Sequence, residues 1–292
     1  MRNIKVKIVL ITALLFASAT GYAQEIDDEI TFDDHVAAGM YPNLDGDMSL
    51  KIDTIIKMDD NLKEELYSDL APSMIGGDLV GASTAVSNAT VMLAINGSLC
   101  SGVVINKTTI LTAAHCLSSK PRPPLNTIRV YLGAKKVFQG SPKSFVANSR
   151  FDLDRNNLPR ADVAIIRMAK PMAKSVPIPL MQSLPSTVGV KLIAAGFGYS
   201  DRAKTKIQVL RSGSFVLGET AGYEATTLSD GSRVLVLLGR KNVCNGDSGG
   251  PTFAKTALGL RVVGIHSMAN CKDTGIDVVP YFYRSWISNQ LN

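Results

Sequence analysis

The chain has 292 residues and lacks several features that would assign it to a common protein class. After residue 23 no apolar run approaches the ~20 residues that a membrane-spanning helix needs, so the sequence predicts no membrane span. No internal repeat or low-complexity tract stands out. The acidic residues do not show the loop spacing of a calcium site. We therefore expect neither a metal ion nor an organic cofactor.

Cysteine is also scarce, with four residues at positions 100, 116, 244 and 271. Four cysteines allow three disulfide connectivities, and they could also remain as reduced thiols in a cytosolic protein. Disulfides persist in oxidising compartments, so the location of the protein bears on this choice.

The N-terminus favours export. Residues 1–23 read as a signal peptide, with Arg2, Lys5 and Lys7 before the apolar run 8–17 and small residues before a cut after Ala23. An uncleaved anchor is the alternative. We expect a secreted or periplasmic protein.

Charge divides the rest of the chain. Residues 24–73 hold 14 Asp and Glu against 3 Lys, whereas residues 74–292 carry a net charge of +14. An acidic segment before a basic domain suggests a propeptide held by charge. A disordered acidic tail without an inhibitory role is the alternative.

Residues 74–292 have the length and pattern of an all-β domain. Short β-branched runs are separated by Gly, Pro, Asn and Ser, as strand-rich folds require, and residues 281–291 predict a terminal helix. The runs expected to form strands are Val91–Ile95, Gly102–Ile105, Ile128–Leu132, Val163–Ile166, Val190–Ala194, Val234–Leu238 and Leu260–Ile265.

Three motifs carry the chemistry. They are LTAAHC at residues 111–116, an aspartate that enters an apolar strand in RADVAII at 160–166, and CNGDSGGP at 244–251. In this order they resemble the active-site segments of the chymotrypsin/trypsin-like serine proteases. The resemblance covers about residues 74 to 292 and implies two packed six-stranded antiparallel barrels with a C-terminal helix.

The resemblance assigns roles to these residues. His115 would be the general base, Asp162 would orient it, and Ser248 would be the nucleophile. The N–H groups of Gly246 and Ser248 would form the oxyanion hole. It also implies the disulfides Cys100–Cys116 and Cys244–Cys271.

Activation is expected to involve Met74 and Asp247. The run MIGG at residues 74–77 resembles the activated N-terminus of the family, whose new amino group pairs with the aspartate before the nucleophile. Ser73 precedes the expected cut, where trypsin-activated zymogens carry Arg or Lys, so the activating protease is open. A simple Gly-Gly turn is the alternative.

The specificity pocket is expected to be unusual. The resemblance puts Asn242 at its floor, where a trypsin-type enzyme has Asp, so a preference for Arg or Lys is not expected. His266 occupies a position where glutamyl endopeptidases place a histidine that binds an acidic side chain, but it could equally bond to a structural neighbour. The other expected substrate-binding residues are Val243, Asn245, Ser267, Met268, Ala269 and Gly275.

These observations predict a secreted serine endopeptidase made as a zymogen, with a non-basic preference before the cleaved bond, for which an acidic residue (Glu) is the candidate. Its expected partners are protein or peptide substrates and an activating protease, not nucleic acid. The main alternative is a non-catalytic protease-fold module that binds polyanions or cell surfaces, and a second is an esterase on the same scaffold.

Overall fold

The computed structural model describes residue 75 and residues 77–154, 157–185, 187–199, 209–223, 227–239 and 242–291. The expected signal peptide, propeptide and new N-terminus at Met74 lie outside the described residues. Within the described part of the chain, no helix is long and apolar enough to cross a membrane.

Strands dominate the described residues, which confirms the all-β prediction. The strands are β1 Asp78–Leu79, β2 Thr90–Ile95, β3 Ser98–Asn106, β4 Thr109–Thr112, β5 Ile128–Leu132, β6 Val137–Gly140, β7 Pro142–Ala147, β8 Asp152–Leu153, β9 Pro159–Arg160, β10 Ala164–Met168, β11 Lys191–Gly196, β12 Arg211–Val216, β13 Ala221–Tyr223, β14 Val234–Leu238, β15 Pro251–Thr256, β16 Gly259–Ala269 and β17 Thr274–Val278.

Helices are short. The helix α1 spans Ala85–Ala89, and the Thr84 side chain caps it by accepting the N–H of Ser87. The expected C-terminal helix consists of a 3₁₀ turn at Pro280–Tyr283 followed by α2 at Arg284–Asn289. A second 3₁₀ turn lies at Leu125–Thr127.

The strands form two antiparallel sheets. The first has the order β6-β5-β2-β3-β4-β10-β7, and the second has the order β1-β12-β11-β15-β16-β17-β14-β13. Strands β5 and β7 also contact each other, so the first sheet curls into a half-barrel. The sheets contain seven and eight strands rather than the expected six, because β6 and the short strands β1 and β13 extend their edges.

Three apolar cores result from strand alternation. Successive side chains point to opposite faces of a strand, so Val104 enters the core inside the first sheet while Val103 enters a core shared by both sheets. Phe197 and Phe253 of the second sheet pack into the same shared core, and Trp286 packs against it. This shared core fixes the two sheets against each other, and the candidate site lies along their junction.

Candidate active site

A cleft of about 570 Å³ brings most of the expected site residues together. The first sheet contributes the β2–β3 turn and the segment after β4, and the second contributes the loop before β15 and the end of β16. The residues from the three motifs and the expected pocket that line it are His115, Cys116, Val243, Cys244, Asn245, Gly246, Asp247, Ser248, His266, Ser267, Met268 and Ala269.

Strand pairing places His115 beside Asp162. Ala164 at the start of β10 pairs with Thr112 at the end of β4, so the residues just outside these two strands are neighbours. The Nδ1 atom of His115 lies 2.7 Å from Asp162 Oδ2, and the His115 backbone N–H donates to Asp162 Oδ1 at 2.8 Å. Because a carboxylate only accepts, Nδ1 carries the proton and Nε2 remains available as a base.

Asp162 is completely buried, and its carboxylate accepts hydrogen bonds from its neighbours. The Ser267 hydroxyl donates to Asp162 Oδ2. The preceding residue, Ala161, has φ of +51°, a left-handed conformation that is unfavourable for a residue with a side chain. A specific local contact is therefore needed to keep the backbone in this shape.

Tyr283 supplies that contact. Its hydroxyl accepts the N–H of Ala161 at 2.8 Å and lies 2.8 Å from Ser232 Oγ and 3.0 Å from Asp230 Oδ2, to which it can donate. The C-terminal 3₁₀ turn and the loop before β14 thus meet directly behind Asp162.

Burial and the Asp162 carboxylate act in opposite directions on His115. Burial lowers the pKa of the imidazole, but its hydrogen bond to Asp162 and the negative charge of that carboxylate raise it, and the net effect is a raised pKa. The arrangement therefore stabilises the imidazolium, which is the form that a general base reaches after taking a proton.

The loop that carries Ser248 is fixed from the first sheet. The Ser101 N–H donates to the Ser248 carbonyl at 2.7 Å, and the Ser101 hydroxyl donates to the Gly246 carbonyl at 2.9 Å. Gly246 has φ of +93°, which favours glycine at this position. Among the described residues, the N–H groups of Gly246 and Ser248 have no recorded acceptor, so both are available to a ligand.

Ser248 and His115 face the same cleft but are not joined in this structure. His115 Nε2 lies 3.8 Å from Cys116 Sγ, and no hydrogen bond to Ser248 Oγ is recorded within the described part of the chain. Such contacts are often long in unliganded enzymes and shorten when a substrate binds.

Both implied disulfides are present. Cys100 bonds to Cys116 next to His115, and Cys244 bonds to Cys271 across the Ser248 loop. Cys100, His115 and Cys116 form a cluster with metal-ligand spacing in the described residues, but both sulfurs are committed to the disulfide. A metal would need them as thiolates, so the cluster does not fit a metal ion.

Asp247 lies buried next to Ser248 in the chain. Its Oδ1 accepts the Gly198 N–H at 2.7 Å and its Oδ2 accepts the Cys244 N–H at 2.9 Å. Burial raises its pKa to about 6, although those two hydrogen bonds and the charge of His266 act to lower it. A carboxylate buried in this way is costly unless a cation approaches it.

Two expected pocket residues lie behind the cleft wall instead of lining it. Asn242 is fully buried, and its side chain donates to the Leu237 and Asp273 carbonyls and accepts the Val243 N–H. A Cβ on Gly275 would lie 2.4 Å from Val243 Cγ2, so glycine is needed for close packing there. Val243 thus separates both residues from the cleft.

His266 lines the cleft, and its ring is held by a hydrogen bond on the side away from the cleft. Its Nδ1 lies 2.7 Å from Oδ1 of Asp277, whose Oδ2 accepts the Thr252 hydroxyl at 2.5 Å. Burial lowers the pKa of His266, but the charge and hydrogen bond of Asp277 outweigh this, with help from Asp247 and the Ala195 carbonyl, so the pKa is raised. The buried Nε2 makes no hydrogen bond of good geometry among the described residues, although the Ala195 carbonyl is close enough to affect the pKa.

Sequence reasoning missed three residues of this site: Asp277, Tyr283 and Ser101. An aspartate in the apolar run GIDVVP at residues 275–280 was a usable signal, because a buried strand rarely carries an unpartnered carboxylate. Tyr283 and Ser101 gave no local signal, since each acts on a residue more than 90 positions away.

Comparison with known proteins agrees with this geometry. The family model described as Trypsin matches residues 79–287. The protein C activator of Agkistrodon contortrix contortrix is 30% identical over 216 residues, which cover 68% of this chain and 87% of that protein. Snake venom serine protease 5 of Trimeresurus stejnegeri is 31% identical over 66% of this chain and 78% of its own length.

A third relative has no venom in its name. Brachyurin of Leptuca pugilator is 30% identical over 204 residues, which cover 65% of this chain and 87% of that protein. The match to the family model spans the two sheets and all three motifs. This chain therefore belongs to the trypsin family of serine proteases.

Proposed function

We propose that this protein is a serine endopeptidase in which His115, Asp162 and Ser248 form the catalytic triad. The observation that carries the proposal is the pair formed by buried Asp162 and His115 at 2.7 Å, in the same cleft as Ser248. His115 Nε2 takes the proton of the Ser248 hydroxyl as that oxygen attacks the peptide carbonyl, and later protonates the leaving amine.

The oxyanion site consists of the N–H groups of Gly246 and Ser248. Neither has a recorded acceptor among the described residues, and the Ser101 contacts fix the loop that carries them. Two preorganised donors stabilise the negative charge that develops on the carbonyl oxygen, which is often the largest contribution to acyl-transfer catalysis.

The test is covalent labelling of Ser248 by a fluorophosphonate probe, combined with turnover of peptide and ester substrates. Ser248→Ala should abolish labelling and lower kcat by about 10⁶-fold. Ser119→Ala is the matched control, since Ser119 lines the same cleft and should be neither labelled nor required. Absence of labelling with the processed protein would support the non-catalytic module, and turnover of esters without peptides would support the esterase.

We also propose an acidic preference before the cleaved bond. Asp277 holds His266 Nδ1, so a protonated His266 would carry an N–H at Nε2, a buried atom for which an acidic substrate side chain would compete with the Ala195 carbonyl. Asn245 is exposed at the rim of the same cleft and can add an amide donor. The net charge of +14 over residues 74–292 would attract acidic substrates.

Matched peptides with Glu, Gln, Ala, Phe and Arg before the cleaved bond test this preference. Glu should lead in kcat/KM near pH 6, and His266→Val should remove that lead while sparing Ala. A series led by Arg would contradict both the acidic and the wider non-basic preference.

The zymogen is the third part of the proposal. An unidentified activating protease removes residues 24–73, and the new amino group of Met74 pairs with buried Asp247. The surroundings of Asp247 support this step. Among the described residues, His266 is the one charged group that acts on the buried carboxylate. N-terminal sequencing of the active, exported protein should start at Met74, and full activity in a chain that keeps residues 24–73 would count against this step.

A further inference from the structure

The first sheet is built almost entirely from a segment without acidic side chains. Residues 79–151 contain no Asp or Glu but include five Lys and three Arg. Strands β2 to β7 all lie in this segment. The described part of the second sheet differs, because acidic residues such as Glu219, Asp230 and Asp273 are interspersed with its basic ones. Residues 79–151 therefore carry a net charge of +8 without any acidic side chain, whereas residues 152–292 carry 17 Lys and Arg against 10 Asp and Glu.

The hairpin of β5 and β6 gathers three of these charges. Ile128, Val130 and Leu132 point into the core, so the alternating side chain of Arg129 points outward and is exposed. Lys135 and Lys136 are exposed in the turn that joins the two strands. We call Arg129, Tyr131, Lys135, Lys136 and Phe138 the hairpin surface.

The rings of Tyr131 and Phe138 form an apolar contact on the hairpin surface. Phe138 is 57% exposed, and its ring packs on that of Tyr131 with 5.3 Å between centroids. Tyr131 and Phe138 are also direct partners in the β5–β6 ladder. An exposed aromatic group with cations around it suits a partner that carries both carboxylates and apolar side chains.

The start of β5 adjoins the active-site cleft, and the turn with Lys135 and Lys136 lies at the other end of this strand. Ile128 pairs with Ile95, and the Asn96 N–H donates to the Thr127 carbonyl at 3.2 Å. Ile95 and Asn96 both line the cleft. A segment bound along the hairpin surface would therefore reach the edge of the cleft on the side of the first sheet.

The chain supplies a suitable occupant. Residues 24–73 carry 14 Asp and Glu against 3 Lys, with apolar residues such as Ile30, Phe32 and Tyr67 between them. An extended chain spans about 3.3 Å per residue, so 50 residues can reach any part of a domain of this size. Charge complementarity selects the acid-free half-barrel over the second sheet.

We propose that residues 24–73 dock on the hairpin surface and cover the adjoining edge of the cleft. The inhibitory part of this inference rests on the proposed zymogen, whereas the docking itself does not require catalysis. The contact is largely electrostatic between solvated groups, so salt should weaken it.

Carbodiimide coupling of the full-length chain tests the docking. The reagent joins a lysine amine directly to a carboxylate in contact with it, and mass spectrometry identifies the pair. Lys135 and Lys136 should couple to residues 24–73 at least about fivefold more than exposed Lys191 and Lys255 of the second sheet, and 1 M NaCl should remove the difference. Equal coupling at all four lysines, or coupling that salt does not change, would overturn the proposal.

A paired set of variants tests the inhibition. K135Q/K136Q should increase the rate at which fluorophosphonate labels Ser248 in the unprocessed chain, whereas K191Q/K255Q, which removes the same charge elsewhere, should not. Equal rates in the two variants would overturn the inhibitory part. Failure of the processed protein to label would instead reject the proposed function and leave the coupling result intact.

Discussion

At the scale of single residues, Asp162 accepts hydrogen bonds from the imidazole of His115, its backbone N–H and the hydroxyl of Ser267. Asp162→Asn keeps the shape but replaces the acceptor of Nδ1, so the wrong imidazole tautomer is favoured. We expect kcat to fall by about 10⁴-fold with little change in KM. The pH profile of kcat/KM should move to lower pH, because the Asp162 carboxylate raises the pKa of His115.

Asp152→Asn is the matched control for this change. Asp152 is an exposed carboxylate that pairs with Arg160, ten residues before Asp162 in the chain. Its removal should leave both kcat and the pH profile unchanged. Activity of Asp162→Asn within tenfold of the natural protein would contradict the proposed role of Asp162.

The pair His266–Asp277 predicts a pH-dependent specificity. Asp277 holds the proton on Nδ1, so Nε2 donates only when the ring is protonated and accepts when it is neutral. The ratio of kcat/KM for Glu and Gln peptides should therefore fall as pH rises through the pKa of His266, which lies above its ordinary value.

Asp277→Asn should move the pH at which the Glu-to-Gln ratio falls to a lower value, because the Asp277 charge no longer stabilises the protonated imidazole of His266. Asp247 also faces this ring electrostatically and Tyr223 lies near Asp277, so both should be kept unchanged in the comparison. A Glu-to-Gln ratio that stays constant between about pH 5 and 9 would return His266 to a structural role.

At the scale of secondary-structure elements, the C-terminal 3₁₀ turn acts on the active site through one hydroxyl. Tyr283→Phe removes the acceptor of the Ala161 N–H and releases the strained residue before Asp162. We expect kcat to fall by about 10- to 100-fold, because a small displacement of a catalytic group has a large effect on rate.

KM should change little in this variant, and the pH profile should move to lower pH as it does in Asp162→Asn. Tyr281→Phe removes a hydroxyl from the same turn without touching Ala161, and it should leave the kinetics unchanged. Loss of stability with an unaltered pH profile would show that Tyr283 is structural only.

At the scale of the whole molecule, the burial of Asp247 makes the free energy of unfolding depend on pH. Its pKa is raised to about 6 in the folded chain, above the value near 3.9 of an unfolded aspartate. The folded state therefore favours the protonated form, so this stabilisation is present at low pH and is lost as pH rises through about 6. The loss amounts to roughly 3 kcal/mol.

We expect the Tm of the full-length chain to fall between pH 4 and 6 more steeply than that of Asp247→Asn. Asp78→Asn, which removes an exposed carboxylate, should keep the slope of the natural chain. Processing at Met74 should also flatten this slope, because the new ammonium would pair with the carboxylate. Identical slopes in all four proteins would contradict the burial of an uncompensated Asp247.

Much of this protein could be predicted from the amino-acid sequence, because the signals are local. Apolar runs located the strands, with Ile128–Leu132 and Val234–Leu238 matching their full extent. The motifs indicated the family and, through it, the candidate triad and both disulfides. The residues of each motif lie within a few positions of one another, so their chemistry can be read without coordinates.

The tertiary structure decided how the candidate pocket is built. His266 meets Asp277 only because β16 and β17 pair with a register shift that follows His266, and no local pattern fixes such a register. Asn242 and Gly275 lie behind Val243 because the Gly275 backbone packs directly against the Val243 and Asn242 side chains. Likewise, Tyr283 reaches Ala161 only after the C-terminal turn packs across the sheets. Long-range packing sets these contacts, whereas local sequence sets the strands and the motifs.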